Sequence, residues 1–330
     1  MITKFLKRIL RRDPMVKHTQ ANQTGAPKRI PKKSHRIDPH LLSKNAVKVT
    51  QTLQQAGYEA FIVGGAVRDL VLGIEPKDFD VATNATPDQV QRLFRKARLI
   101  GRRFQIVHVT FFGKGHPEII EVSTFRALLD NAGDHVAESG RILRDNVWGS
   151  QGEDAARRDF TINAMYYDPS TETVLDYHGG MADMQRKTLR MIGDPAKRYR
   201  EDPVRMLRAI RFAAKTGFSL DQNTRLPIAK LGKLLQDVPA ARLFDEILKL
   251  LMSGHSWAAI QGLQEAGLHH GLLPLLDHIL DDSENAIGAN AFVKLALANT
   301  DQRIQSGKSV SAGFLFATLL WPDLLKNWKA

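Results

Sequence analysis

Apolar and polar positions alternate along the chain so as to separate helical from extended stretches. Residues 41–56 place Leu42, Ala46, Val49 and Leu53 at helical spacing and stop at Gly57, which predicts a helix. An unbroken apolar run, Phe61-Ile62-Val63, ends at Gly64-Gly65 and reads as a short buried strand. Over 66–72, Val67, Leu70 and Val71 share a helix face with Arg68 and Asp69 on another, and Gly73 and Pro76 end the pattern. Asp78-Phe79-Asp80-Val81 then alternates with period two, predicting a second strand with both carboxylates on one face and Phe79 and Val81 toward the core.

Further on, Thr86-Pro87-Asp88 predicts a capped helix start running to about Arg95. Strands are expected over 105–112 and 118–124, joined by a turn at 113–117. The polar segment 127–150 reads as a mobile loop beside the site. A strand pair ends at Tyr177, before the Gly179-Gly180 turn. Asp202-Pro203 predicts a helix start with Asp202 as cap. On that helix Arg205, Arg208 and Arg211 recur at i, i+3 on one face, and Leu207, Ile210 and Ala214 lie opposite for the core. Beyond residue 215 every pattern is helical: 221–236, 240–253, 256–266, 271–280, 287–299 and 311–327.

The spacing of the acidic and glycine residues carries the chemistry. Two carboxylates on one strand face repel each other unless a cation lies between them, and Asp78 and Asp80 offer oxygens suited to Mg²⁺. The Gly64-Gly65 turn lets backbone amides approach phosphate oxygens, with the N-terminus of the helix at 66–72 facing the same place. Glycines, carboxylates and metal together are the parts of two-metal in-line phosphoryl transfer from a nucleoside triphosphate. Glu121, on the strand at 118–124, is a candidate third metal-binding carboxylate, with an outward-facing strand residue as the alternative.

Composition narrows the class. The chain has 330 residues, enough for two or three domains, and its 43% hydrophobic content is that of an ordinary globular protein. It has no cysteine, which removes disulfides and thiolate metal sites and fits a reducing cytoplasm. No apolar run reaches membrane-spanning length. The net charge is +12, and residues 1–40 supply nine of those charges, eleven Lys and Arg against Asp13 and Asp38. A basic arm of this kind favours polyanions through counterion release. Residues 3–12 also permit a second reading, a basic amphipathic helix on an anionic membrane surface.

Three motifs together resemble one family. Gly64-Gly65, Arg68-Asp69 and Asp78-Phe79-Asp80 are similar to the head of the nucleotidyltransferase superfamily, in the branch that holds bacterial poly(A) polymerases and CCA-adding enzymes. Arg157-Arg158-Asp159-Phe160-Thr161-Ile162-Asn163 matches that branch's second motif, and Glu201-Asp202-Pro203-Val204-Arg205 its base-reading motif. The likeness implies an α+β fold, a nucleotidyltransferase head with a mixed or antiparallel sheet followed by an all-helical neck and body. The expected divisions are a basic disordered arm at 1–37, the head at 38–180, the neck at 181–255, and a body at 256–330 shortened at its C-terminus, which leaves Leu and Trp side chains near the end exposed.

The resemblance also implies roles. Asp78 and Asp80, with Glu121 or Asp159 as third carboxylate, would hold two Mg²⁺ ions. Gly64, Gly65, Arg68 and Arg158 would position the triphosphate of ATP. Asp202 and Arg205 would read the base edge, with Arg208 and Arg211 near phosphate or primer. Residues 99–109 resemble the signature of bacterial poly(A) polymerases. The expected activity is therefore template-independent addition of AMP to RNA 3′ ends by a cytoplasmic monomer, with RNA-decay machinery as partner. The alternatives are a tRNA CCA-adding enzyme and an inactive, shortened RNA-binding relative.

Overall fold

The computed structural model describes residues 25–101, 105–113, 116–127, 147–268 and 287–328. Eight strands form one sheet: β1 (Lys28–Pro31), β2 (Ala60–Val63), β3 (Asp80–Thr83), β4 (Ala97–Ile100), β5 (Ile106–Phe111), β6 (Glu118–Thr124), β7 (Met165–Asp168) and β8 (Thr173–Asp176). Their spatial order is β1-β8-β7-β2-β3-β6-β5-β4. All neighbours are antiparallel except β3 and β6, which run parallel, so the sheet is mixed as expected.

Alternation along the central strands builds two apolar layers. Ile62 and Val81 face one side of the sheet with Ile120 and Val122, while Val63 and Ala82 face the other with Phe125, Ala155 and Tyr166. Helix α1 (Lys32–His35) precedes α2 (Lys44–Gln55), which closes the first layer by burying Ala46, Val49 and Leu53 completely. Val49 and Leu53 each contribute about 1.5–3 kcal/mol by leaving water. The Ser43 hydroxyl caps α2, accepting from the amides of Asn45 and Ala46. Helix α3 (Gly65–Val71) follows β2 directly, and α4 (Pro87–Leu93) starts with a capping box between Thr86 and Gln89.

The remaining helices are α5 (Gln151–Arg157), α6 (Gly180–Gln185), α7 (Pro195–Glu201), α8 (Val204–Thr216), α9 (Gln222–Leu231), α10 (Ala240–Leu251), α11 (Ser256–Glu265), α12 (Ile287–Gln305) and α13 (Ala312–Trp328). Helix α8 buries Val204, Met206, Leu207, Ala209 and Ile210. It approaches α11 closely because Gly262 has no side chain: a Cβ there would lie 2.9 Å from Ile210 Cγ2. No helix among the described residues is long and apolar enough to cross a membrane. Trp321 and Trp328 are exposed, at 44% and 83%.

Three expectations need correction, and four more fall wholly or partly outside the described residues. The arm at 1–37 is not disordered throughout, because β1 pairs with β8 over four residues. Ile30 enters the core, and Lys32 meets Glu172 at 2.7 Å. Its basic residues disguise an edge strand that has only one inward side chain. The second predicted strand begins at Asp80, so Asp78 lies ahead of it, although Phe79 and Val81 are buried as expected. Asp202 does not cap α8: Pro203 is the N-cap and no side chain bonds the first turn. Residues 3–12, most of the 127–150 loop, part of the 99–109 signature and the 271–280 helix lie outside the described residues.

Candidate active site

Gly64 stands where β2 becomes α3, at φ 72° and ψ −132°, a conformation open essentially to glycine alone. A Cβ on it would meet Arg158 Nη1 at 3.4 Å and Asp80 Oδ2 at 4.0 Å, so this backbone passes between a guanidinium and a carboxylate. From that turn opens a cavity of about 540 Å³, within the usual range for ligand sites. Gly64, Gly65, Arg68, Asp78, Asp80, Arg158, Asp159, Asp202, Arg205, Arg208 and Arg211 all line it. Residues as distant in the chain as Gly64 and Arg211 thus converge, drawn from the ends of the central strands β2 and β3, from α3, from the segment after α5, and from α8. Counting every charged lining residue, Lys77 and Lys215 bring the cations to seven, against the carboxylates of Asp69, Asp78, Asp80, Asp159 and Asp202. A net positive cavity that also carries the carboxylates of Asp78 and Asp80 suits a polyphosphate carried with a divalent cation.

Asp80 opens onto the cavity, yet the surrounding protein strips part of its hydration. That burial, reinforced by Glu121 and Asp78 and opposed by Arg158, pushes its carboxyl up to about 6. Crowded carboxylates of this kind fit a hard cation with oxygen ligands. Among the described residues no three carboxylate or imidazole side chains form a complete metal cage. Asp78 and Asp80, both lining the cavity, match the one or two carboxylates that Mg²⁺ takes, its shell being completed by substrate phosphates and water.

The two candidate third carboxylates differ sharply. Glu121 stands opposite Asp80 in the parallel β3–β6 register, half-exposed, with His108 Nε2 at 3.4 Å, and it does not line the cavity. Asp159 lines it but has both oxygens committed. Oδ2 accepts from Arg208 Nε and Nη2 at 2.8 and 2.6 Å, and Oδ1 from the Phe160 amide and Asn163 Nδ2. Burial raises the Asp159 carboxyl, but Arg208 and these bonds outweigh it and hold it below the usual carboxylate range.

The arginines are fixed by partners that local patterns did not reveal. Arg68 is buried, with Nε bonded to Asp69 Oδ1 and Nη1 to Asn163 Oδ1, both at 2.8 Å. Asn163, within the quoted motif but unassigned from sequence, thus links Arg68 to Asp159. Arg158 donates to Asp154 Oδ2 at 3.0 Å and to the Tyr166 hydroxyl at 3.2 Å, and that hydroxyl donates to the same carboxylate oxygen at 2.7 Å. Capping of α5 by Ser150 sets Asp154 one turn before Arg158. Arg205 Nη1 donates to the Arg198 carbonyl and to Glu201.

Asp202 is held from outside the cavity. Its Oδ2 accepts from Arg242 Nη2 at 2.8 Å, while Oδ1 is buried with no hydrogen-bond partner among the described residues. Arg242 and Phe212 were not anticipated from sequence. Their part depends on how α8 packs against α10 and the head, which no periodicity encodes.

Comparisons with known proteins agree with this architecture. Residues 60–190 match the Poly A polymerase head domain, and residues 217–280 match the family described as the probable RNA and SrmB-binding site of polymerase A. Poly(A) polymerase I of Salmonella typhimurium is 46% identical over 98% of this chain and 70% of its own length. The CCA-adding enzyme of Bacillus subtilis is 36% identical over 86% of this chain and 67% of its own. The crystal structure of Bacillus stearothermophilus CCA-adding enzyme in complex with CTP superposes with a TM-score of 0.65 at 28% identity, covering 88% of this chain and 71% of that one. The chain therefore belongs to the poly(A) polymerase family of RNA nucleotidyltransferases, the group it shares with the CCA-adding enzymes.

Proposed function

We propose that this chain is a template-independent poly(A) polymerase that transfers AMP from ATP to the 3′ ends of RNA. One observation carries the reading: the head carboxylates Asp78 and Asp80 and the neck pair Asp202 and Arg205 line a single cavity, and the buried Oδ1 of Asp202 has no hydrogen-bond partner among the described residues. A buried acceptor without a partner costs about 1–3 kcal/mol, and the exocyclic amine of adenine is a donor that would satisfy it. Cytosine also carries such an amine, so the choice of ATP over CTP leans on the higher identity to poly(A) polymerase I than to CCA-adding enzymes.

In this reading Gly64 and Gly65 admit the triphosphate to the backbone, and Arg158 and Arg68 face its oxygens. Arg158 is anchored by Asp154 and Tyr166, and Arg68 by Asp69 and Asn163. Asp78 and Asp80 would hold Mg²⁺, with Glu121 nearest as a further carboxylate; when bound, the ions supply Lewis-acid activation of the primer hydroxyl and neutralise developing charge on the phosphates. The primer 3′-hydroxyl gives up its proton to solvent and its oxygen bonds to the α-phosphorus as the bond to pyrophosphate breaks. Asp159 serves here to orient Arg208, since its oxygens are already committed. The same reading makes the enzyme a cytoplasmic monomer whose RNA tails promote decay, with the basic N-terminal residues adding affinity for RNA.

The test is incorporation by the full chain from ATP or CTP into an mRNA-like primer and into tRNA lacking its CCA end. AMP addition to the mRNA-like primer is expected. CMP addition to the shortened tRNA would make the chain a CCA-adding enzyme, and no incorporation from either nucleotide would support the inactive RNA-binding alternative.

A further inference from the structure

Three guanidinium groups gather around one aromatic ring at the cavity wall. Phe212 follows Arg211 on α8, and the ring centroid lies 4.5 Å from the Arg211 guanidinium carbon and 5.2 Å from those of Arg68 and Arg208. Phe160, itself fully buried, meets the ring edge-on at 5.8 Å and keeps it from swinging away. The negative face of the ring attracts each cation, which offsets part of the repulsion among three like charges.

The three arginines differ in what else holds them. Arg68 is committed to Asp69 and Asn163, and Arg208 to Asp159. Among the described residues Arg211 has an ion pair at 3.7 Å to Glu246, and its buried Nε has no hydrogen-bond partner there. It nevertheless lines the cavity beside Phe212. A planar guanidinium with donors uncommitted is well matched to phosphate oxygens.

We infer that Phe212 is a positioning residue: its ring keeps Arg211, the member of the trio with donors to spare, directed at the phosphate oxygens of the incoming nucleotide. This rests on the reading that the cavity takes a nucleoside triphosphate. Phe212 acts through Arg211 and forms no bond to the substrate in this account.

Calorimetric binding of inorganic tripolyphosphate to the full chain, without divalent cations, tests the inference. Phe212→Leu keeps apolar bulk but removes the ring face, and should weaken binding about tenfold. Phe212→Tyr, which keeps the ring, should bind like the parent. In an Arg211→Gln background Phe212→Leu should have almost no further effect, because its route of action is gone. An equal loss in both backgrounds, or parent affinity in Phe212→Leu, would overturn the inference. If Phe212→Leu does not fold, Arg211→Lys carries the test: it keeps the charge without the planar group and should lose most of the same affinity. Full affinity in that variant would equally overturn it. A parent protein that did not bind tripolyphosphate would remove the triphosphate reading and this inference together.

Discussion

Arg208 grips Asp159 through two donors on one carboxylate oxygen, at 2.8 and 2.6 Å, and so ties α8 to a segment of the head 49 positions earlier. The pair is enclosed, with side-chain exposures of 31% and 10%. Removing one partner of such a pair strands the other charge. Arg208→Met is expected to lower stability by about 3 kcal/mol, and the double change with Asp159→Asn should recover part of that loss. Urea unfolding of the two variants checks this; equal loss in both would show that Asp159 does not depend on Arg208.

Acid should act through the same buried carboxylates. Burial raises Asp154, but Arg158, the Tyr166 hydroxyl and the Arg126 amide overcome it, and Asp159 is likewise held low by Arg208. A carboxyl whose folded value lies below the unfolded 3.8 stabilises the fold above that pH and loses the contribution as pH falls through the folded value. Asp154→Asn should therefore be less stable than the parent at neutral pH, and the difference should shrink below about pH 4. Urea midpoints measured from pH 3 to pH 7 would reveal this; a constant difference would contradict it.

Gly64→Ala should be damaging although it adds only a methyl group. The backbone stands at φ 72°, where a side chain is strained, and the new Cβ would stand in contact with Arg158 Nη1 at 3.4 Å. A cost of about 1–2 kcal/mol in stability is expected from the backbone alone. The loss of AMP incorporation should exceed that, because the methyl group stands between Arg158 and Asp80. Activity kept at parent level would show that this turn does not approach the substrate.

Replacing Asp80 with Ala should abolish nucleotide addition while leaving RNA binding nearly intact. Arg205→Ala should instead leave addition measurable and relax the preference for ATP over CTP. Competition assays with both nucleotides read the two effects separately. Substantial residual incorporation by Asp80→Ala would remove it from metal binding, and unchanged selectivity in Arg205→Ala would place base choice elsewhere.

Much of this site was legible in local patterns because its residues come in short runs. The apolar strand ending at Gly64-Gly65 is at 60–63, and the arginines of α8 share the cavity-facing side their spacing predicted. What could not be read were the bonds between distant runs. Asn163 links Arg68 to Asp159, and Arg242 reaches Asp202 across 40 positions. The strand at Lys28–Pro31 escaped notice because an edge strand with one buried residue, Ile30, leaves no alternation to see. Asp202 looked like a helix cap because aspartate before proline usually is one, yet here Arg242 claims its side chain.

The central claim is that one cavity holds phosphates at the glycine turn and the base at the neck. A structure of the full chain with Mg²⁺ and a non-hydrolysable ATP analogue tests it most directly. The account predicts metal between Asp78 and Asp80, phosphates against Gly64 and Gly65, and adenine within hydrogen-bonding distance of Asp202 Oδ1 and Arg205. An analogue bound with its base away from Asp202, or with its phosphates away from Asp80, would contradict it.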